Sequence, residues 1–295
     1  MTSIAVIAHA RKTLDGGLPE LRRRLETDIG AEVLWYEVEK SRMAPKAAKR
    51  CLAAGADLIL VWGGDGSVQR VVDTVAGSGV TIGIIPAGTA NLLATNLGVP
   101  ISLEGALDVA LHGSRRDLDV GVINGERFTV MAGAGLDAMM IKDADGKLKD
   151  RFGRLAYVFT GVRASGLKAA KVKIDVDGNR WFTGRASCVL FGSMGTLTGG
   201  LVAFPDADPT DGQLEIGVVT ADSRVQWARV AGRLVTKKAE RSPLTRTSRG
   251  RKIDVRFAKP TLYELDGGDR TRAKKLKLRV QPGAIRIAVP ASTGS

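Results

Sequence analysis

Cysteine is almost absent from this chain: Cys51 and Cys188 are the only two in 295 residues, far apart and without metal-ligand spacing. That excludes a disulfide framework, gives no support to a zinc site, and leaves both thiols as small buried hydrophobes. Long apolar runs are missing too. No stretch reaches the roughly 18 residues a spanning helix needs, and the first residues lack the basic start and apolar core of a secretion signal. The expectation is a soluble chain that is not exported. The glycine-rich turns contain neither a Gly-Lys-Ser/Thr loop nor a Gly-x-Gly-x-x-Gly fingerprint, which argues against P-loop and ordinary dinucleotide chemistry. Aromatic residues, 5% of the chain, are too sparse among the charges for a single-strand stacking platform.

What is present is apolar content of 44%, enough for two ordinary domains, and a formal charge of +13. Residues 222–279 hold 18 Lys/Arg against 6 Asp/Glu. Such an excess suits an anionic membrane surface, a phosphorylated ligand or nucleic acid, and a merely solvated basic face competes with all three.

Up to about residue 115 short apolar strands alternate with amphipathic helices. "SIAVIAHA" reads as a strand, and "LPELRRRLETDIG" as a helix with Pro19 in its first turn. After the buried strand "DLILVW", Val68, Val71, Val72 and Val75 form a stripe at helical spacing. "TIGIIP" and "SLEGALDVALHG" continue the series, predicting an α/β unit with a mostly parallel sheet. Beyond Arg116 the rhythm changes. Asn124-Gly125 between strand-like runs is a strong hairpin signal, "KVKIDVDGNRWFTG" repeats it, and "KKLKLRV" alternates as another strand. The second half is therefore mainly β, with helical interruptions near residues 148–168 and 222–238.

"GGDGS" at residues 63–67 ends a buried strand and starts a helix at once, at the carboxyl edge of a parallel sheet, where α/β folds bind ligands. Glycines let backbone approach a phosphate, and a helix N-terminus favours an anion. Asp65 on that loop repels a phosphate unless a divalent cation lies between them or the carboxylate takes a proton from an attacking hydroxyl; both uses belong to phosphoryl transfer. The competing reading is a tight turn with Asp65 or Ser67 capping a helix. A second loop, "IIPAGTANLLATNLG", offers Thr89 and Asn91 at another helix start.

"GGDGS", then "PAGTANLLA", "LDVG", "GAGLDA", "FPDADPTDGQLEI" and "ELDGG", in this order over nearly the whole chain, resemble the diacylglycerol kinase catalytic-domain family, which includes bacterial lipid kinases and sphingosine kinases. The resemblance implies a Rossmann-like α/β domain of the NAD kinase and phosphofructokinase kind at residues 1–118. A β-sandwich domain would follow at 119–295, its last strand returning toward the first domain, with the site in the cleft between them. It also implies ATP, Mg²⁺ and a lipid hydroxyl acceptor, diacylglycerol most simply. A sphingoid base, a ceramide-like lipid and a phosphoinositide remain alternatives. NAD kinases and phosphofructokinases share the Gly-Gly-Asp-Gly loop, but their other characteristic segments are missing.

By the same resemblance Gly63, Gly64, Gly66 and Ser67 hold nucleotide phosphates, Ser67 standing where Thr is usual, and Gly88, Thr89 and Asn91 form a second nucleotide loop. His9, Lys12 and Thr13 replace the usual Asn-Pro-x-Ser-Gly turn and contact the nucleotide differently. Asp65 is the central acidic residue and a metal ligand, Asp119 a cleft carboxylate, and Asp211 a second metal position that an Asp-Gly turn explains equally well. The family's Asp-Gly-Glu appears as Asp266-Gly267-Gly268, so Gly268 stands in place of a proposed base, with Asp269, or Asp65 and Asp266 together, as substitutes. The implied setting is cytoplasmic and peripheral to the inner face of a membrane, anionic lipids meeting residues 222–279. Nucleic acid is disfavoured, a homodimer is an open option, and a non-catalytic nucleotide or lipid binder is the rival of a different class.

Overall fold

Strands that are apolar at every position must be covered on both faces, and the first half of the chain supplies helices to do it. The computed structural model describes residues 3–29, 33–135, 169–197, 200–235 and 242–291. It divides into two units, Met1–Asp119 with Pro282–Ser295, and Val120–Gln281.

The first unit runs β1 (Ile4–His9), α1 (Gly17–Ile29), β2 (Leu34–Val38), a 3₁₀ turn (Ser41–Met43), α2 (Ala44–Ala53) and β3 (Leu58–Gly63). Then come α3 (Asp65–Val75), β4 (Thr81–Pro86), the short α4 (Leu92–Asn96) and α5 (Leu103–His112). Its strands lie in the order β2-β1-β3-β4, all parallel. The end of β14 (Gly268–Val289) adds beside β4, with Arg286 and Ile287 opposite Thr81 and Ile82. β3 and β4 are buried at every residue. The valine stripe of α3 and a stripe of Ala44, Ala47, Ala48 and Cys51 on α2 face inward. Burial pushes the Cys51 thiol up to about 11, so it stays protonated and inert. Gly83 lets α5 approach the sheet, since a Cβ there would lie 2.8 Å from Ala110 Cβ.

The second unit contains β6 (Glu126–Phe128), β7 (Met131–Gly135), β8 (Ala170–Val176), β9 (Asn179–Ala186), β10 (Cys188–Gly192) and β11 (Leu214–Val219). α6 (Arg224–Val235), β12 (Thr245–Gly250), β13 (Lys252–Leu265) and most of β14 complete it, and β5 (Ser114–Ile123) begins in the first unit and ends here. Its main strands pair in the order β12-β11-β10-β7-β13-β14, with β8 and β9 extending from β13; the pairings are antiparallel. Asn124-Gly125, Asp177-Gly178 and Asp266-Gly267 are each left-handed at both residues. That geometry matches the twist of the strands they join. Phe128, Phe191, Ile174, Ile253 and Leu278 belong to one core cluster.

The expected second domain ran to Ser295 with its last strand returning toward the first domain; the second unit ends at Gln281, and Pro282–Ser295 belong to the first. "KKLKLRV" is the middle of a 22-residue strand. The helix expected near 148–168 and the Leu136–Ala138 part of "GAGLDA" lie outside the described residues.

Candidate functional site

Adjacent strands β1, β3 and β4 release their chains at the same edge of the first sheet, and each exit carries residues singled out above. At the β3 exit Gly64 N-caps α3 in an extended conformation without a side-chain cap. The positive end of the helix dipole is left to act on whatever enters the loop. A Cβ on Gly63 would fall 2.8 Å from Ser67 Cβ, so Ser67 packs directly behind the strand end and is buried. A Cβ on Gly88 would fall 2.4 Å from Gly64 Cα and 2.5 Å from Asn91 Oδ1. The two glycine loops therefore touch backbone to backbone, and only glycine fits. Ala87 N donating to Gly63 O at 3.0 Å fastens the same contact. Gly66 is exposed at the loop surface.

Asp65 caps a helix, but not its own. Its Oδ1 accepts from Leu92 N at 2.6 Å and Leu93 N at 3.4 Å, closing the start of α4. The carboxylate thereby ties the first loop to the second. Asn91, expected to contact phosphate, is instead 4% exposed and left-handed at φ 47°. Its Oδ1 accepts from Gly88 N at 2.9 Å, and its amide donates to Pro86 O and Gly88 O, each at 3.0 Å. With these bonds made, it shapes the loop, and the outward-facing member of the pair is the exposed Thr89.

At the β1 exit His9 Nδ1 accepts from Arg11 N at 3.3 Å. Trp62 Nε1 pins the turn by donating to Lys12 O at 3.0 Å. Burial, then the charges of Lys12 and Arg11, lower the His9 pKa, so this imidazole is neutral at neutral pH. Lys12 is half-buried and Thr13 exposed beside it. The sequence reading missed Asp15, whose Oδ2 accepts from Leu103 N at 2.8 Å and caps α5 across 88 positions. The Asp-Gly-Gly that follows from it, a mirror of the Gly-Gly-Asp at 63–65, was the available signal.

Three of the expected site carboxylates make structural contacts. Asp119 is 4% exposed, and its Oδ1 accepts from Gly283 N at 2.8 Å, so it latches the returning end of β14 within the first unit. In the second unit Asp266 is 5% exposed and forms the turn between β13 and β14. Its oxygens accept from Thr129 N at 2.6 Å, Thr129 Oγ1 at 2.9 Å, Val130 N at 2.9 Å and Met131 N at 3.0 Å. Burial raises the pKa of this carboxyl, although the four donors pull it down. Such a group acts as a clasp on the segment that leads into β7. Asp211 makes an Asx turn, its Oδ1 accepting from Gln213 N at 2.9 Å, and Oδ2 lies 4.0 Å from Arg249 Nη1.

Gly268 leaves no void. A Cβ there would meet Arg270 Nη1 at 2.9 Å, and that guanidinium also holds Glu126. Asp269 is exposed, opposite the 3%-exposed Glu264, whose Oε2 accepts from Gly267 N at 2.7 Å. Glu264 was also missed, hidden in a strand pattern that gives no sign of a buried acid. Among the described residues no group of three or more His, Cys, Asp or Glu could hold a metal. A cation at Asp65 would take its remaining ligands from phosphate oxygens and water, as Mg²⁺ commonly does.

Comparison with known proteins agrees with this architecture. Residues 10–123 match the model of the diacylglycerol kinase catalytic domain, and residues 130–289 that of the YegS C-terminal NAD kinase beta sandwich-like domain. A diacylglycerol kinase of Mycobacterium tuberculosis is 27% identical over 288 residues, covering 95% of this chain and 91% of that protein. An uncharacterised protein of Synechocystis sp. is 27% identical over 292 residues, and the alignment takes in 92% of this chain but 65% of the relative. A crystal structure of a diacylglycerol kinase from Bacillus anthracis shares the fold, with a TM-score of 0.81 at 21% identity over 99% of this chain and 98% of that one. The two matches in this order, the catalytic-domain model over the two glycine loops and the beta sandwich-like model over the antiparallel strands that follow, place the chain in the diacylglycerol kinase catalytic-domain family of lipid kinases.

Proposed function

We propose that the chain transfers the γ-phosphoryl group of ATP, with Mg²⁺, to a hydroxyl of a membrane lipid, diacylglycerol giving phosphatidic acid. The observation that carries this reading is the Gly64–Gly88 contact. It brings two side-chain-free stretches of backbone, the N-terminus of α3 and the Asp65 carboxylate together at one edge of the sheet.

The acceptor oxygen bonds to the γ-phosphorus as the bond from that phosphorus to the β,γ-bridging oxygen breaks. ADP leaves with the electron pair, and the hydroxyl proton passes to a carboxylate or to water. The transition state is loose, so positioning and charge neutralisation supply most of the acceleration. Gly63, Gly64 and Gly88 allow backbone to approach the phosphates, Thr89 offers a hydroxyl donor, and Asp65 is the residue that would hold Mg²⁺. When bound, the ion neutralises phosphate oxygens and cancels their repulsion by Asp65. Asp269, exposed at the start of β14, is the carboxylate to test for the base role.

The test is transfer of labelled γ-phosphate to a panel of diacylglycerol, sphingosine, ceramide and phosphatidylinositol in mixed micelles with Mg²⁺. A labelled lipid identifies the acceptor, and diacylglycerol is expected. ATP binding without any labelled product would favour a non-catalytic binder, the reading to which Gly268 and its guanidinium neighbour lend support.

A further inference from the structure

On the outward face of strands β9, β8, β13 and β14, like charges stand in direct opposition. Lys173 on β8 is opposite Arg256 on β13, and Arg256 is opposite Lys275 on β14. Lys171 faces Arg185 on β9, and Lys252 faces Arg279 on β14. The alternate positions Val172, Ile174, Val255, Leu276 and Leu278 are buried, so the pleat sends the cations together to the solvent side, where all are exposed. Asp254 and Asp175 are the acids among them, and Asp175 is already held by Arg180. Among the described residues none of these paired cations enters an ion pair. Lys171, Lys173, Arg185 and Arg256 also line a groove of about 520 Å³ that has no carboxylate in its wall.

Like charges directly opposite one another destabilise a sheet. A sequence that keeps three in one row needs an anionic counterpart to offset the cost. We propose that this face docks the chain on an anionic lipid bilayer, with phosphate headgroups entering the groove. The inference rests on the lipid-kinase reading for its choice of partner, since the acceptor lies in a membrane and no described helix is long and apolar enough to cross one. The aromatic residues of these strands, Trp181, Phe182, Phe257 and Tyr263, belong to or pack against the core cluster, and Phe257 is the aromatic residue among those lining the groove, where single-strand binding favours a series of stacking rings.

Co-sedimentation with phosphatidylcholine vesicles, with and without phosphatidylglycerol, tests the surface. The wild type should bind only the anionic vesicles and should dissociate as salt shortens the Debye length. The triple variant Lys173→Gln, Arg256→Gln, Lys275→Gln should lose about 5-fold in partitioning per side chain, about 100-fold in all. Its melting temperature should stay level or rise, because a row of repulsion is gone. Lys171→Gln with Arg185→Gln gives an independent second measurement at the groove. Equal binding by wild type and both variants, indifference to phosphatidylglycerol, or tighter binding to duplex DNA than to anionic vesicles at the same salt would overturn the proposal. Phosphoryl transfer in neutral detergent micelles should be unchanged by the triple variant. Its absence from wild type and variant alike would reject the kinase reading, while the docking surface stands or falls on sedimentation alone.

Discussion

At the residue scale, Asp65 meets two demands with one carboxylate. An oxygen caps α4 through Leu92 N, and in the proposed reaction the charge holds Mg²⁺. Asparagine can keep the first and must lose the second. Asp65→Asn should therefore leave the melting temperature nearly unchanged, whereas Asp65→Ala should cost about 1 kcal/mol in urea unfolding through the lost cap. Gly88→Ala drives a methyl group into Gly64 and Asn91, and should destabilise by about 1–3 kcal/mol through overpacking. His9 supplies a pH test. Its folded pKa is lowered, so the neutral ring is favoured, and the stability this contributes is present above the ordinary value of about 6.5 and lost as pH falls through the depressed one. The chain contains 2 histidines, so proton NMR can follow His9 directly. Its midpoint should lie below about 6.5, and a midpoint above that would contradict the neutral imidazole drawn here.

At the element scale, alternation and turn chemistry were the legible part. "DLILVW" announced a buried strand, Val68 to Val75 a helix stripe, and Asn124-Gly125 a hairpin, because each depends on neighbours within a few positions. Cross-loop bonds were not legible. Asp65 reaches its partner 27 positions away, Asp15 at 88, and Asp266 grips Thr129 at 137. Sequence motif alone makes such aspartates look like site residues, since a buried clasp and a catalytic acid are written with the same letter. The Asp266 clasp is open to a direct check. Asp266→Ala would strand the N–H groups of Thr129, Val130 and Met131 and should cost at least about 3 kcal/mol, the sum of modest penalties for buried donors without acceptors. Asp269→Ala, at an exposed strand position, should cost less than about 0.5 kcal/mol. If Asp266→Ala proved as stable as wild type, the clasp would be wrong and the catalytic reading of that residue would regain force.

At the scale of the whole molecule, the first unit is completed by the last residues of the chain. Ile285, Ile287 and Ala288 are buried there, and Arg286 reinforces the strand through Asp117, its Nε donating to Oδ1 at 2.8 Å. The Arg286 guanidinium holds the Asp117 carboxyl below its usual range, so this support is present above the ordinary carboxylate pKa and fades as acid protonates it. Removing everything after Gln281 exposes the edge of β4 and deletes two buried isoleucines worth about 1.5–3 kcal/mol each. Such a truncation should leave the first unit susceptible to limited proteolysis while the full chain resists. The change of rhythm near residue 118 was visible in the sequence, but the return of 282–291 was known only through family resemblance. A parallel edge pairing between residues 81 and 286 leaves no local trace.

The two-loop cradle and its single carboxylate are the central claim, and the most direct measurement compares wild type with Asp65→Asn for γ-phosphoryl transfer from ATP and Mg²⁺ to diacylglycerol in mixed micelles, with melting temperatures taken on the same samples. The wild type should give labelled phosphatidic acid, and a variant that melts at the same temperature at least about a hundredfold less, the scale expected when a charge-neutralising group leaves a phosphoryl-transfer site. Equal turnover by the two proteins would contradict that claim, and would reduce Asp65 to the cap of α4.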